Sequence, residues 1–157
     1  MAQDLDGRAA TRLGSNPEAV PAGSLNRMLV VDASVVLPAC ASPHGFDVFG
    51  TEELVAPPLL WSESRSALHE ALFRREISEV QALRTLDALD HAPIRARTQR
   101  QLSRRAWNIA NEMGWAKTYD AEYLALAQLL DCRFVTLDSR LRRGAARLGY
   151  VVSPTEL

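Results

Sequence analysis

Two segments, MLVVD at residues 28–32 and FVTLD at residues 134–138, each place an aspartate directly after a short, mainly apolar run. Such a run is typical of a strand that is buried on both faces of a parallel sheet. Ligands of open α/β sheets bind beyond the carboxyl ends of the strands, where Asp32 and Asp138 both lie. The two segments therefore predict an α/β fold with a ligand site at one edge of its sheet.

The rest of the chain alternates between predicted strands and helices. The strands are expected at 28–31, 54–56, 93–96, 133–136 and 150–152, and the helices at 34–41, 59–75, 78–89, 102–113, 119–130 and from Asp138 to Gly149. Gly114 is expected to end the fourth helix, and Thr118 to cap the fifth with its side chain. Because strands that alternate with helices favour parallel pairing, we predict a mainly parallel, five-stranded sheet covered on both faces.

The size of the chain favours one folded domain preceded by a tail. The chain has 157 residues, and residues 1–27 are rich in Ala, Gly, Ser and Pro without apolar periodicity. We expect a flexible extension at 1–27 and a single domain at 28–157. No apolar stretch is long enough to span a membrane, and the N-terminus lacks a signal-peptide core, so a cytoplasmic protein is expected. Cys40 and Cys132 lack metal or disulfide spacing and fit buried apolar positions.

Two further acids stand near the starts of predicted helices. Asp120 falls in the first turn of the helix at 119–130. Glu63 shares a helical stripe with Leu60 and Ala67, where an unpaired carboxylate is costly. Glu70 lies near the same stripe, but it is two turns further from the strand ends, so Glu63 is the preferred ligand.

Each acid also has a purely structural interpretation. Asp32 and Asp138 are good N-caps for the helices that follow them, and Asp120 suits the positive end of a helix dipole. Taken together, however, four acids near one edge would repel each other unless a cation lay among them. A set of ligands that contains only oxygen atoms, without sulfur or histidine nitrogen, favours Mg²⁺ or Mn²⁺. Because the net charge of the chain is −1, a polyanion would have to be bound through such an ion or through a local basic patch.

Hydroxyl and guanidinium groups accompany the acids. Ser34 follows Asp32 by two positions and Thr136 precedes Asp138 by two, so each is expected on the same side as its acid, supporting a carboxylate or a bound water. Alternatively, Ser34 caps the short helix and Thr136 is an ordinary strand residue. Arg140 and Arg143, which follow Asp138, are candidates for a weak phosphodiester contact, although a basic run is more often a solvated helix face.

Four motifs resemble those of PIN-domain nucleases, most closely the VapC-type toxins of bacterial toxin–antitoxin pairs. They are VVDASVV at 30–36, ESRSAL at 63–68, YDAEYLALA at 119–127 and TLDSRL at 136–141, and the similarity covers residues 28–152. The resemblance implies an α/β/α sandwich, usually dimeric. It also implies a Mg²⁺- or Mn²⁺-dependent endoribonuclease that a cognate antitoxin silences. One departure is visible at Ser66, where the family often has asparagine.

Carried over by position, the resemblance assigns the metal and the catalysis to four acids with help from one hydroxyl. These residues are Asp32, Glu63, Asp120 and Asp138 as ligands, with Thr136 as support. Three alternatives remain open: an RNA-processing PIN-domain nuclease that is not a toxin, an inactive PIN-like interaction module, and a phosphatase with Asp32 as nucleophile. The phosphatase usually needs a second acid two positions later, where this chain has Ser34. The interaction module has no reason to keep four like charges together.

Overall fold

A computed structural model describes residues 27–157. Apart from Arg27, the extension predicted at residues 1–27 lies outside the described residues. Within this range the strands are β1 (Met28–Val31), β2 (Glu53–Ala56), β3 (Ile94–Ala96), β4 (Arg133–Val135) and β5 (Val151–Val152). The helices are α1 (Ala33–Ala41), α2 (Leu59–Phe73), α3 (Glu79–Asp90), α4 (Leu102–Met113), α5 (Tyr119–Leu130) and α6 (Ser139–Ala145). Short 3₁₀ turns lie at Asp47–Phe49, Ala146–Leu148 and Pro154–Glu156.

The strands form one parallel sheet in the order β3-β2-β1-β4-β5. From β1 the chain moves outward to β2 and β3, and then returns to the opposite side of β1 to form β4 and β5. The strand order therefore reverses between β1 and β4, and the carboxyl ends of these two strands flank the crevice where such sheets bind ligands. The register pairs Val31 with Val135, so the residues that follow each strand emerge side by side. The predicted α/β sandwich with a parallel five-stranded sheet is confirmed.

The centre of the core lies where α5 packs against β1 and β4. Val30, Val31 and Val135 are fully buried, as expected for central strands covered on both faces. The helix α5 is buried on most sides, and its alanines allow the close approach that this position demands. This packing matters for the site because α5 brings its first turn, with Asp120, to the carboxyl edge of the sheet.

Three local predictions need correction. Thr118 occupies the N-cap position of α5, but its backbone is already helical (φ −98°, ψ −1°) and its side chain makes no capping hydrogen bond. The last α-helix stops at Ala145 and continues as a 3₁₀ turn to Gly149, whose φ of 76° ends it as predicted. Cys40 and Cys132 are half-buried free thiols rather than fully buried ones. Among the helices described, none is both long enough and apolar enough to cross a membrane.

Candidate active site

Asp32 directly follows β1 at the edge of the sheet where β1 and β4 end side by side, and only 7% of its surface is exposed. It is the N-cap of α1, and its Oδ1 accepts hydrogen bonds from Ser34 Oγ (2.6 Å) and the Val35 amide (3.3 Å). Its Oδ2 accepts a hydrogen bond of 2.5 Å from Thr136 Oγ1. Three donors therefore fix the orientation of this carboxylate.

The hydroxyls of Ser34 and Thr136 join the ends of the two central strands. Their oxygens are 3.2 Å apart, so the pair links the start of α1 to the end of β4. Ser34 Oγ also accepts a hydrogen bond from the Leu137 amide (2.9 Å), and Thr136 Oγ1 accepts one from the Asp138 amide (3.0 Å). The network thus positions Asp32 and the backbone that carries Asp138 at the same time.

Asp138 and Asp120 are exposed and line one cleft together. Asp138 is the N-cap of α6, and its Oδ1 accepts hydrogen bonds from the amides of Arg140 (2.7 Å) and Leu141 (3.0 Å). Asp120 belongs to the first turn of α5, where the helix dipole favours a negative charge. Both acids therefore have a structural role, one as a helix cap and the other in a first turn, and both also line this cleft.

Glu63 reaches the site from α2 and is held by a residue that the sequence analysis missed. The hydroxyl of Tyr123 donates a hydrogen bond of 2.6 Å to Glu63 Oε2. Only 1% of Tyr123 is exposed, and its ring stacks on Phe134 of β4 with 5.6 Å between centroids. A buried phenol needs a polar partner, and Tyr123 follows Asp120 by one helical turn. These two signals point to a polar group on this face of α5.

Burial is the main reason why the pKa of Asp32 is raised from 3.8 to about 6, and the nearby charge of Glu63 adds to the increase. The hydrogen bonds from Ser34, Thr136 and Val35 act in the opposite direction because they stabilise the ionised form. Burial outweighs them, so an ionised Asp32 is a high-energy group until a cation approaches it.

The other acids form a chain of neighbouring charges. Burial raises the pKa of Glu63, the hydrogen bond from Tyr123 lowers it, and the charge of Asp120 raises it further. Burial of its carboxyl group and the charge of Asp138 both raise the pKa of Asp120, although the residue as a whole is exposed, while Arg140 lowers it. The four predicted ligands are thus brought into one electrostatic system, from Asp32 through Glu63 and Asp120 to Asp138.

Two clefts flank this chain of acids. A cleft of about 440 Å³ contains Asp120 and Asp138 together with Lys117 and Arg140. A second cleft, of about 390 Å³, contains Glu63, and Tyr119 is one of its walls. A separate groove of about 510 Å³ between α1, α2 and α3 contains none of the four acids and is mainly apolar, so it offers no comparable chemistry.

The remaining candidates are placed less centrally. Arg143 is exposed on α6 and does not line either cleft beside the acids, whereas Arg140 does. Glu70 also lines the 390 Å³ cleft, is exposed, and forms a salt bridge of 2.5 Å with Arg74. Its charge is therefore compensated by a cation, in contrast to that of Glu63, whose hydrogen-bond donor is a neutral phenol.

The donor set suits a hard divalent cation, but the acids do not form a closed cage. Within residues 27–157, no group of three or more acidic, histidine or cysteine side chains lies close enough together to hold a metal ion by itself. The facing atoms are carboxylate and hydroxyl oxygens, and a neighbouring carboxylate raises the pKa of each of Asp32, Glu63 and Asp120. An open arrangement of oxygen ligands fits Mg²⁺, because this ion retains several waters and takes few protein ligands directly.

Comparisons with known proteins agree with this fold. The PIN domain family model matches residues 29–146. VapC ribonuclease Mb0985 of Mycobacterium bovis and Ribonuclease VapC9 of Mycobacterium tuberculosis are each 32% identical over 129 residues, which is 81% of this chain and 99% of theirs. Ribonuclease VapC1 of M. tuberculosis is 37% identical over 126 residues (71% and 86%). The crystal structure of PAE2754 from Pyrobaculum aerophilum superposes with a TM-score of 0.64 at 21% identity, covering 85% of this chain and 94% of that one.

Proposed function

Because the chain belongs to the PIN-domain family, in the group of the VapC ribonucleases, we propose that it is an endoribonuclease toxin that hydrolyses phosphodiester bonds in RNA. The observation that carries this proposal is the electrostatically coupled series of four acids at the crevice between β1 and β4. A scaffold without chemistry would gain nothing from neighbouring acids that repel each other at the usual ligand edge of an α/β sheet.

Asp32, Glu63, Asp120 and Asp138 are proposed to hold Mg²⁺ or Mn²⁺, some of them through water. When bound, such an ion lowers the pKa of the attacking water and neutralises charge at the phosphoryl group. The donor set supports this choice because it contains oxygen atoms alone. The raised pKa of Asp32 supports it as well, because a buried carboxylate with neutral donors lacks the positive partner that it needs.

The surrounding residues are proposed to orient these ligands and the substrate. Ser34 and Thr136 each donate a hydrogen bond to Asp32, which leaves the carboxylate little rotational freedom. Tyr123 does the same for Glu63. Arg140 lies beside Asp120, where its guanidinium is suited to a non-bridging oxygen of the RNA backbone. The preorganised carboxylates and this cation would then act on one phosphodiester group.

A cognate antitoxin is the protein partner that this function requires. An acidic crevice without its metal favours an inserted arginine or lysine, which neutralises the carboxylates and excludes the ion in one step. The exposed position of Asp120 and Asp138 leaves the crevice accessible to such a side chain from a partner protein.

The deciding experiment is RNA cleavage by the purified chain with Mg²⁺ or Mn²⁺, with EDTA, and with an excess of metal added back. We expect cleavage with either ion, none in EDTA, and recovery after the metal is restored. Asp138→Asn is the matched inactive variant because asparagine preserves the N-cap of α6. Cleavage that continues in EDTA would reject the metal mechanism. Growth that is unaffected when the active protein is induced without an antitoxin would favour an RNA-processing nuclease over a toxin.

A further inference from the structure

The clefts on the two sides of the acids differ in the chemistry of their walls. The 440 Å³ cleft carries the cations Lys117 and Arg140, and neither side chain belongs to a salt bridge in the described part of the chain. Other arginines, such as Arg74 and Arg97, are paired with glutamates. Because no salt bridge among the described residues holds them, these two cations remain available for an anionic ligand, although Arg140 also lies near enough to Asp120 to lower the pKa of its carboxyl group.

The 390 Å³ cleft presents an exposed aromatic ring instead. Tyr119 is 53% exposed although it is the first residue of α5, a helix whose middle turns are buried. The same cleft contains the hydroxyls of Ser62 and Ser66 and the carboxylate of Glu70, but no lysine or arginine. An aromatic face with nearby hydrogen-bonding groups suits a planar heterocycle better than a phosphate, which the two glutamates of this cleft would repel.

The first turn of α5 separates the two clefts. Lys117 lines one cleft, Tyr119 lines the other, and Asp120 follows directly with its side chain in the cationic cleft. A ligand that occupies both clefts must pass the acids at this turn. A single RNA strand has the required chemistry because each nucleotide carries an anionic phosphate on one side and a base that can stack on the other.

We propose that the two clefts are adjoining RNA subsites, in which Lys117 and Arg140 hold a backbone phosphate next to the acids and Tyr119 stacks on a nucleobase. This inference rests on the proposed ribonuclease function and specifies how its substrate is bound. The role of Tyr119 requires an unpaired base, because a paired base is not free to stack on a protein side chain. Tyr119 is thereby a binding residue for the base, and Lys117 one for the backbone.

Two signatures distinguish these roles. Removing a contact between a lysine and a phosphate lowers affinity and also reduces the slope of log K against log salt, by about 0.7 per phosphate for single strands. Base stacking is worth roughly 1–3 kcal/mol per base and carries no net charge, so its loss lowers affinity by about 5- to 150-fold without altering that slope.

Binding is measured by fluorescence anisotropy with a labelled single-stranded RNA of random sequence, about 12 nucleotides long, with Ca²⁺ in place of Mg²⁺. We expect Tyr119→Leu to bind the RNA more weakly, by the loss expected for one stacked base, with an unchanged slope of log K against log salt. Tyr119→Phe should bind the RNA as tightly as the parent protein does. Lys117→Gln should reduce the slope. Trp107→Leu is the matched control, because Trp107 is 62% exposed on α4 and lines neither cleft.

A second probe removes the base rather than the tyrosine. An abasic oligomer of ribose and phosphate should bind the parent and Tyr119→Leu equally, which tests stacking without depending on the stability of one variant. Equal affinity of Tyr119→Leu and the parent for the random RNA would overturn the inference, and so would Phe and Leu variants that are weakened alike. Failure of the parent to cut RNA with Mg²⁺ would instead reject the proposed function, and the binding comparison would still decide about the subsites.

Discussion

Replacing Asp32 with asparagine separates the structural role of this residue from its chemical one. Asp32 is buried, caps α1, and has a pKa raised to about 6. Asparagine has the same shape and is an equally good N-cap, but it cannot ionise. We expect Asp32→Asn to abolish RNA cleavage and at the same time to stabilise the metal-free protein at neutral pH.

The magnitude follows from the difference in pKa between the folded and unfolded states. The pKa rises from 3.8 to about 6 on folding, which is about two units at 1.36 kcal/mol each, so ionised Asp32 costs on the order of 3 kcal/mol at pH 7. The folded state binds the proton more tightly than the unfolded state. The contribution of Asp32 to stability is therefore fully present below pH 3.8 and is lost as the pH rises to about 6 and above.

The hydrogen bonds around Asp32 can adapt to the amide. The Oδ1 of the asparagine can still accept hydrogen bonds from Ser34 and Val35. Its Nδ2 takes the place of the carboxylate Oδ2, which lies 2.5 Å from Thr136 Oγ1, so that Thr136 Oγ1 becomes the acceptor of this hydrogen bond. The hydroxyl proton of Thr136 then turns towards Ser34 Oγ, 3.2 Å away. The exchange loses charge-assisted hydrogen bonds, so we expect a net gain of about 1–2 kcal/mol rather than the full amount.

The assay is urea unfolding in EDTA at pH 7 and again near pH 4. Asp32→Asn should raise the midpoint at pH 7 without a change in the m-value, and the gain should shrink as the pH approaches 4. Asp87→Asn is the matched control, because Asp87 is an exposed acid on α3 and its substitution should change stability by less than about 0.5 kcal/mol. A variant that is destabilised equally at both pH values would refute this reasoning, since Asp32 would then contribute through its charge-assisted hydrogen bonds alone.

Three further outcomes are expected. Glu63→Gln should abolish cleavage in a single-turnover assay, while Glu70→Gln, which breaks only the exposed pair with Arg74, should retain at least half of the activity. Equal losses of activity in the two variants would show that Glu63 is not the specific metal ligand on α2. Tyr123→Phe removes the hydrogen bond that lowers the pKa of Glu63, so Mn²⁺ binding measured by calorimetry should weaken several-fold and its pH midpoint should move upward, with the KM for RNA unchanged. Light scattering at micromolar concentration should give the mass of a homodimer, and a monomer would remove that expectation.

The strands that carry the site were predictable because each is a short, mainly apolar run followed by an acid. Contiguous runs such as residues 28–31 need no knowledge of distant contacts, so β1 and its following acid were placed correctly. The parallel pairing also follows from local alternation of strands and helices. What the sequence lacks is the relative position of helices that are far apart in the chain. The contact between Tyr123 on α5 and Glu63 on α2 joins residues 60 positions apart, and no periodicity within either helix reveals it.

The failure at Thr118 has a different cause. A threonine before a helix predicts a capping hydrogen bond when its backbone is extended, because the side chain then points back at the first amides. Here the residue already has helical torsions, so its hydroxyl is directed elsewhere. Asp32 and Asp138 have extended backbones and do cap their helices. Residue type predicted the position of each cap, whereas the backbone torsion decided whether the side chain formed the hydrogen bond.

Capping and metal binding are compatible in the same carboxylate because the two roles use different lone pairs. A carboxylate offers about four acceptor positions, and the three donors to Asp32 leave about one for an ion. Asp138 uses two positions of Oδ1 for the amides of α6, and Glu63 uses one for Tyr123. Asp32 is therefore suited to a single, rigid bond to a metal, while Glu63 and Asp138 retain room for bound water. The N-caps hold two of these acids in place before any ion arrives, so the metal would meet carboxylates whose orientation the fold has already set.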